Sequence, residues 1–457
     1  MKRKIFLALP LALMLGSCSI YKSYESCDEV HLSLCAHNDT LAVDTTQSIA
    51  EISWREFFSD PKLAALIDTA LTYNVDLKSA QLTVEQAEAT LKQARLSYLP
   101  SFAFSPSGTL STFDFGEASK IYNIPVVAEW QVDIFASIRN KKRRAAALLE
   151  QSRDYEQAVR SQLIAQVANA YFTLQMLDAQ LDISLSTQES WHATVETMRA
   201  LMDIGMATDA ATAQMEATYH SIGNSVCDLR LQIHEVEDAL ALMLHKEPFE
   251  IERSPYVTDT TEITLSVGVP LDLLSNRPDV RQAEHAVEAA FYDVNSARSA
   301  FYPSLTLSGS AGWTNNVGDV IVNPGKILLA ATASLVEPIF AQGSRRMALK
   351  IAKAQMEQYQ LQFAQMLLQA GSEVNDALME YQIASAKQRG YKLQVAALER
   401  AYESTRLLME HTTTNYLEVL TARQSLLSAQ LQEVANGLAK QQSIINLYLA
   451  LGGGSKD

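Results

Sequence analysis

The sequence predicts an α+β membrane protein in which each chain supplies four β-strands and several long coiled-coil helices, arranged as one unit written twice. Three observations carry this. Leu273 to Leu305 has a diverged copy in the first half of the chain at a single offset. Between Ile124 and Ile134, apolar residues fall on one face of a strand while Glu129, Gln131 and Asp133 fall on the other. Apolar side chains recur at alternating steps of three and four over long stretches that contain no proline.

The repeat is read first, because a fixed internal offset governs every later assignment. Setting Pro100 against Pro303 pairs Asn74 with Arg277, Asp76 with Asp279, Ala80 with Ala283 and Ala87 with Ala290. The same register pairs Ala94 with Ala297, Arg95 with Arg298 and Ser101 with Ser304. The expected organisation is repeat one over 51–246, an equatorial linker over 247–275 and repeat two over 276–457.

Charged residues are only 19% of the chain, and the formal net charge is −15. So acidic a chain repels a phosphate backbone, which excludes nucleic acid as a partner. Lys2, Arg3 and Lys4 precede an apolar run from Ile5 to Leu15, and Gly16-Ser17-Cys18 follows. That run is too short to cross a bilayer as a helix, which takes about 20 residues. The segment resembles a bacterial lipoprotein signal peptide (1–17), which makes Cys18 the lipidated first residue of the mature chain. Residues 18–50 then read as a lipid-anchored tether. Cys27, His31, Cys35 and His37 within it have a spacing that could ligate a metal. A disulfide between Cys27 and Cys35 is the competing reading, and the oxidising compartment implied by the leader favours it.

Asp60-Pro61 reads as a helix start, with Pro61 in the first turn. Residues 61–97 read as two helices broken near Tyr73-Asn74, the second ending at Pro100. A hairpin is expected at about 101–135. Phe102 and Phe104 alternate with small residues, Gly108 to Tyr122 form the loop, and Ile124 to Ile134 return. Acids and amides on one face of that returning strand fit a lumen, with the apolar face towards lipid. The second copy repeats the pattern at about 303–340. Leu305, Leu307, Gly309, Ala311 and Trp313 share a face, Asn315 to Lys326 are the loop, and Ile327 to Phe340 return.

The strand count decides the assembly. Unpaired backbone groups in hydrocarbon cost several kcal/mol each, so membrane strands must close into a barrel. Four strands cannot close around a lumen, since about eight only just enclose packed side chains. Several chains must therefore share one barrel, and three would leave a pore.

The helices follow at about 140–245 and 343–450. Leu163, Val167, Ala170, Leu174, Leu177 and Leu181 lie on one seam; Met215 to Met243, and Leu427, Leu431, Val434 and Leu438, mark others. Helices near 50 residues would reach about 75 Å, suiting a conduit that projects from a membrane. Residues 451–457 stop the last helix with glycine.

Leu274, Arg277-Pro-Asp-Val280, Ala283-Glu284, Phe301-Tyr-Pro-Ser304 and Ala450-Leu-Gly-Gly-Gly454 together resemble the TolC-like outer membrane efflux proteins, and Cys18 resembles their lipoprotein branch. The resemblance implies a homotrimer with a twelve-stranded β-barrel in the outer membrane, continuous with a long periplasmic α-helical barrel. It implies an exit duct for small molecules in a tripartite pump, with a periplasmic adaptor and an inner-membrane transporter, expected to be of the RND type. It implies adaptor docking at two helix tips, Ile204-Gly205-Met206 and His411-Thr412-Thr413, the second lacking the family's glycine. Glu418, with Asp209 near the other tip, matches the acids that face the closed end. Arg199, Asp203, Arg406 and Glu410 are expected to latch that gate.

Other classes draw little support. A lipid-anchored coiled-coil scaffold accounts for the heptads but not for the alternating strands. No nucleophile–base arrangement, phosphate loop or cofactor motif stands in a supporting context, so neither catalysis nor a cofactor beyond the lipid on Cys18 is expected. His192, His220, His234 and His285 are scattered on helices.

Overall fold

The computed structural model describes residues 24, 53–112, 114–256, 277–317, 320–337, 341–410 and 416–454. Cys18, Cys27, His31, Cys35, His37 and the tip His411-Thr412-Thr413 lie outside them. The described residues divide into two compact units. One holds 82–153 and 281–365, and the other holds 53–81, 154–256, 277–280 and 366–454, with residue 24 in the first.

In chain order the elements are α1 (Trp54–Phe57), α2 (Pro61–Tyr73), α3 (Val75–Leu96), β1 (Ser101–Phe104), β2 (Ser107–Ser111), β3 (Ser119–Val132), α4 (Ser137–Asp203) and α5 (Asp209–Met243). The second half gives α6 (Pro278–Ser299), β4 (Ser304–Val317), β5 (Val320–Val336), α7 (Ser344–Glu410) and α8 (Tyr416–Ala450). The helices from α3 onward match in length between the two halves. α3 and α6 have 22 residues each, α4 and α7 have 67, and α5 and α8 have 35. The long helices exceed the expected 50 residues, because no proline or helix-ending glycine interrupts either run and at 1.5 Å per residue each extends about 100 Å.

The first unit contains an antiparallel sheet in the order β1/β2–β3–β4–β5, where β1 and β2 pair with successive parts of β3. They are one strand interrupted near Pro106, which cannot donate to the ladder. Both hairpins extend further than the alternation suggested. Ser107–Ser111 and Ser119–Tyr122 are paired strand rather than loop, and β4 and β5 absorb most of 315–326. Polar strand residues obscured this. Asn315 lies at a bulge in β4, where its side chain accepts from the Tyr122 N–H and donates to the Lys120 carbonyl.

The second unit is helical, with a smaller apolar cluster near the α4–α5 turn and a larger core. Trp54, Leu63, Ile67, Leu163, Val167, Tyr171, Leu174, Leu240 and Leu244 are all buried in it, each contributing roughly 1.5–3 kcal/mol. Asp60 starts α2 by accepting from the Lys62 N–H, and Pro61 occupies its first turn. The Asn74 side chain marks the break between α2 and α3 by accepting from the Leu77 N–H. The heptad seams are buried as expected, Met215, Ile222, Val226 and Leu229 among them.

The first residues of the 247–275 linker, as far as Tyr256, carry no regular structure and are held by side chains. Arg253 donates to both oxygens of Asp178 and to Glu237, the Ser254 N–H donates to the Tyr171 hydroxyl, and Tyr171 donates to Asp60 at 2.6 Å.

Candidate functional site

Three regions concentrate the chemistry. The first is the sheet. Register places Phe102, Phe104, Ile124, Val126, Ala128 and Trp130 on the same face as Leu305, Leu307, Gly309, Ala311 and Trp313. Ile327, Leu329, Ala331, Ala333 and Leu335 of β5 continue that face. None of these side chains is charged, and Leu329 at 75% and Phe102 at 71% are largely exposed, while the same alternation of β3 runs on to Tyr122 and Lys120. The opposite face mixes Ser101, Glu129, Gln131, Thr306, Ser308, Ser310, Thr332 and Ser334 with the apolar Val127, Leu328, Ala330 and Val336. A sheet apolar on one side, with every acid and amide of its strand centres on the other, suits lipid against one face and water against the other. Glu129 stands opposite Ser308, and Gln131 opposite Thr306. Asp133 does not join them. It lies one residue beyond β3, where its carboxylate accepts the backbone N–H groups of Ile138 and Arg139 at 2.9 and 2.8 Å, capping α4.

The second region is the turn between α4 and α5. The Gly205 N–H donates to the Met202 carbonyl and the Met206 N–H to that of Leu201, a Schellman closure. Gly205 has φ +77°, so the turn itself requires glycine, whatever docks there. Ile204 and Met206 flank it, each 69% exposed, on a well-ended helix hairpin. Thr208 caps α5, and Asp209 lies in its first turn as Glu418 lies in the first turn of α8. Both acids are exposed. Two of the four expected latch residues, Arg199 and Arg406, pair locally. Arg199 joins Glu216 across α4 and α5 at 2.7 Å, and Arg406 joins Glu403 within α7 at 2.7 Å.

The third region consists of the motifs that carried the family resemblance, and they are architectural. The Arg277 guanidinium donates to Asp279, to Glu373 of α7 and to the Ala450 carbonyl at the end of α8. Burial alone would raise the Asp279 carboxyl, but the hydrogen bonds and charge of Arg277, with the Val280 N–H, outweigh it and hold it below the usual carboxylate range. The final glycines fold against Tyr448. A side chain at Gly453 would strike its ring, and the Gly454 N–H donates to its hydroxyl.

One residue that sequence reasoning passed over is Arg423, only 8% exposed, whose guanidinium lies over the rings of Trp191 and Tyr402. A signal was present. Stepping back from Leu427 along the seam of α8 lands on this arginine.

A two-faced sheet in the same chain as 67-residue helices and an exposed apolar hairpin tip defines a membrane channel with a helical extension. The chain belongs to the outer membrane efflux protein family, whose model matches residues 66–244 and 269–453. It is similar to the cation efflux system protein CusC of Escherichia coli O6:H1, 26% identical over 97% of each chain. It is similar also to the toluene efflux pump outer membrane protein TtgF of Pseudomonas putida, 28% identical over 98% of this chain and 96% of that one. A crystal structure of CusC superposes with a TM-score of 0.86 at 25% identity, covering 96% of this chain and all of that one. The protein is thus an outer-membrane efflux channel with a periplasmic extension, in a family whose members are the outer membrane components of efflux pumps that work with adaptors and inner-membrane transporters.

Proposed function

We propose that three copies of this chain complete one closed barrel of twelve strand positions, continuous with a helical barrel, and that small molecules leave the cell passively through it. The observation that carries this is the pair of faces on the sheet, together with its two outer strands, β1/β2 and β5, each of which pairs on one side within the chain. Unpaired strand edges in hydrocarbon cost several kcal/mol per group, and neighbouring copies remove that cost by pairing edge to edge. Cys18 carries the lipid, no further cofactor is used, and the channel does no chemistry on its cargo. The transporter is of the RND type. The adaptor docks at Ile204-Gly205-Met206 and at His411-Thr412-Thr413, and relaxes the tips outward. Glu418, repeated in three chains, forms a ring of carboxylates that favours cations.

Purified protein in planar bilayers should give discrete conductance steps, and a preparation that never conducts overturns the reading. Against a scaffold without a pore stands the exposed apolar face of the sheet. The Cys18→Ala form should stay in membranes through an alkaline carbonate wash, whereas a scaffold held only by its lipid would be stripped.

A further inference from the structure

The two helices that follow the strands begin against a rule that the others keep. α3, α5, α6 and α8 each carry an acid in the first turn, Asp76, Asp209, Asp279 and Glu418, as the partial positive charge of a helix N-terminus favours. α4 and α7 carry none there. Over 137–149, α4 holds five Lys and Arg and no acid, and over 344–356, α7 holds four and no acid. In a chain of net charge −15 this is a local reversal. Both copies keep it, since the register that sets Pro100 against Pro303 sets Lys142 against Arg345 and Arg143 against Arg346.

Part of this charge is engaged within the chain. Arg144 pairs with Asp293 of α6 at 2.7 Å, Arg345 pairs with Glu337 at 3.1 Å, and Arg143 lies over the ring of Tyr292. Asp133 is engaged by the backbone N–H groups of Ile138 and Arg139. Arg139, Lys141, Lys142, Arg346, Lys350 and Lys353 are exposed, and among the described residues they make no ion pair. Cations so placed repel the helix dipole and one another, so they weaken these helix starts rather than stabilise them.

Their position is at one end of the sheet. Val132 of β3 pairs with Leu305 of β4, which pairs with Leu335 of β5, so β3 and β5 finish level and lead into α4 and α7. Aromatic side chains mark the same end. The Trp130 indole donates to the Tyr98 carbonyl, and Phe135 stacks on Tyr302 at 4.9 Å. Such rings gather where hydrocarbon gives way to headgroups. At 1.5 Å per residue, Arg139, Lys141, Lys142, Arg346 and Lys350 lie within about 9 Å of their helix starts, and Lys353 about 14 Å away. The headgroup layer on each side is roughly 5–7 Å deep, and a Debye length of about 8 Å extends its reach.

We propose that these cations form a belt that binds the phosphodiester headgroups of anionic glycerophospholipids in the leaflet facing the helices. The belt fixes the height of the sheet in the membrane and holds anionic lipid at its edge. This rests on the reading of the apolar sheet face as lipid-facing.

The test uses the lipidated, full-length protein in phosphatidylcholine vesicles, with spin-labelled phosphatidylglycerol or phosphatidylcholine as the probe. Electron spin resonance gives the fraction of each held at the protein surface. Phosphatidylglycerol should be preferred by about fivefold, the effect of one cation at an anionic surface. The preference should fall away at about 1 M salt, where the Debye length is about 3 Å. Lys141→Gln, Lys142→Gln, Arg346→Gln and Lys350→Gln combined should bring it near parity. Lys387→Gln with Arg389→Gln, exposed further along α7, should leave it intact. A wild type without the preference overturns the belt, whether or not the combined variant folds. A folded combined variant that keeps the preference overturns it too, and a shift in that variant's ion selectivity would place the cations in the lumen. Lipid of neither kind held at the surface overturns the lipid-facing reading of the sheet instead.

Discussion

Ala128 of β3 stands opposite Gly309 of β4, and the ladder through this pair joins the two copies of the repeat into one sheet. Neither hairpin alone presents a broad apolar face. Paired, they set Trp130 beside Leu307 and Ile124 beside Trp313, and the face becomes continuous. Gly312 makes the close approach possible, since a side chain there would collide with the Ile124 carbonyl.

Leu329→Arg should lower the amount of assembled protein in the outer membrane sharply. An arginine on a lipid-facing strand costs about 2–4 kcal/mol near the midplane. Thr332→Arg, on the opposite face of the same strand, should assemble as the wild type does. Comparing the heat-resistant oligomer on gels checks both.

At the α4–α5 turn, conformation and docking can be separated. Gly205→Ala should cost about 1–2 kcal/mol through its left-handed backbone, seen as a lower midpoint in denaturant. Ile204→Asp should leave that midpoint unchanged, because the side chain is mostly exposed, and abolish cross-linking to the adaptor.

Arg277→Ala leaves Asp279 and Glu373 without their cation, and should destabilise the helical unit by about 1–2 kcal/mol, less than a fully buried pair would cost because both carboxylates keep contact with water. The pH dependence has a definite sign. Asp279 has its folded pKa depressed, so its contribution is fully present above the unfolded value of about 3.9 and is lost as pH falls through the folded value. Wild type should therefore lose stability below about pH 4 more steeply than Arg277→Ala, measured by melting across that range.

Glu418→Gln should reduce cation preference, read as a shift of reversal potential in a salt gradient towards zero. An unchanged reversal potential would remove Glu418 from the constriction.

How much of this was legible depended on the kind of signal. Period-two and heptad patterns are written by burial itself, so the strand faces and the seams of α4, α5 and α8 could be read directly. The break at Asn74 was marked by a residue that caps with its own side chain. Hairpin tips were misread because Asn315 and its neighbours pair through polar side chains, which look like loop. Asp133 was misread because a strand end and a helix cap share one alternation. The latch pairs could not be read, since which carboxylate Arg199 or Arg406 meets is fixed by rotamers and neighbouring turns. The motifs shared with the family gave its name for a physical reason unrelated to transport. Arg277 and Gly453 are constrained by a salt bridge and by the ring of Tyr448, and such constraints persist whatever the cargo.

The most direct measurement is the mass of the detergent-solubilised protein, taken by native mass spectrometry on the lipidated form. Three chains per particle are expected, because the outer strands of one sheet need partners in hydrocarbon. A stable particle of one chain, folded and free of lipid contact, would contradict the shared barrel and the conduit built upon it.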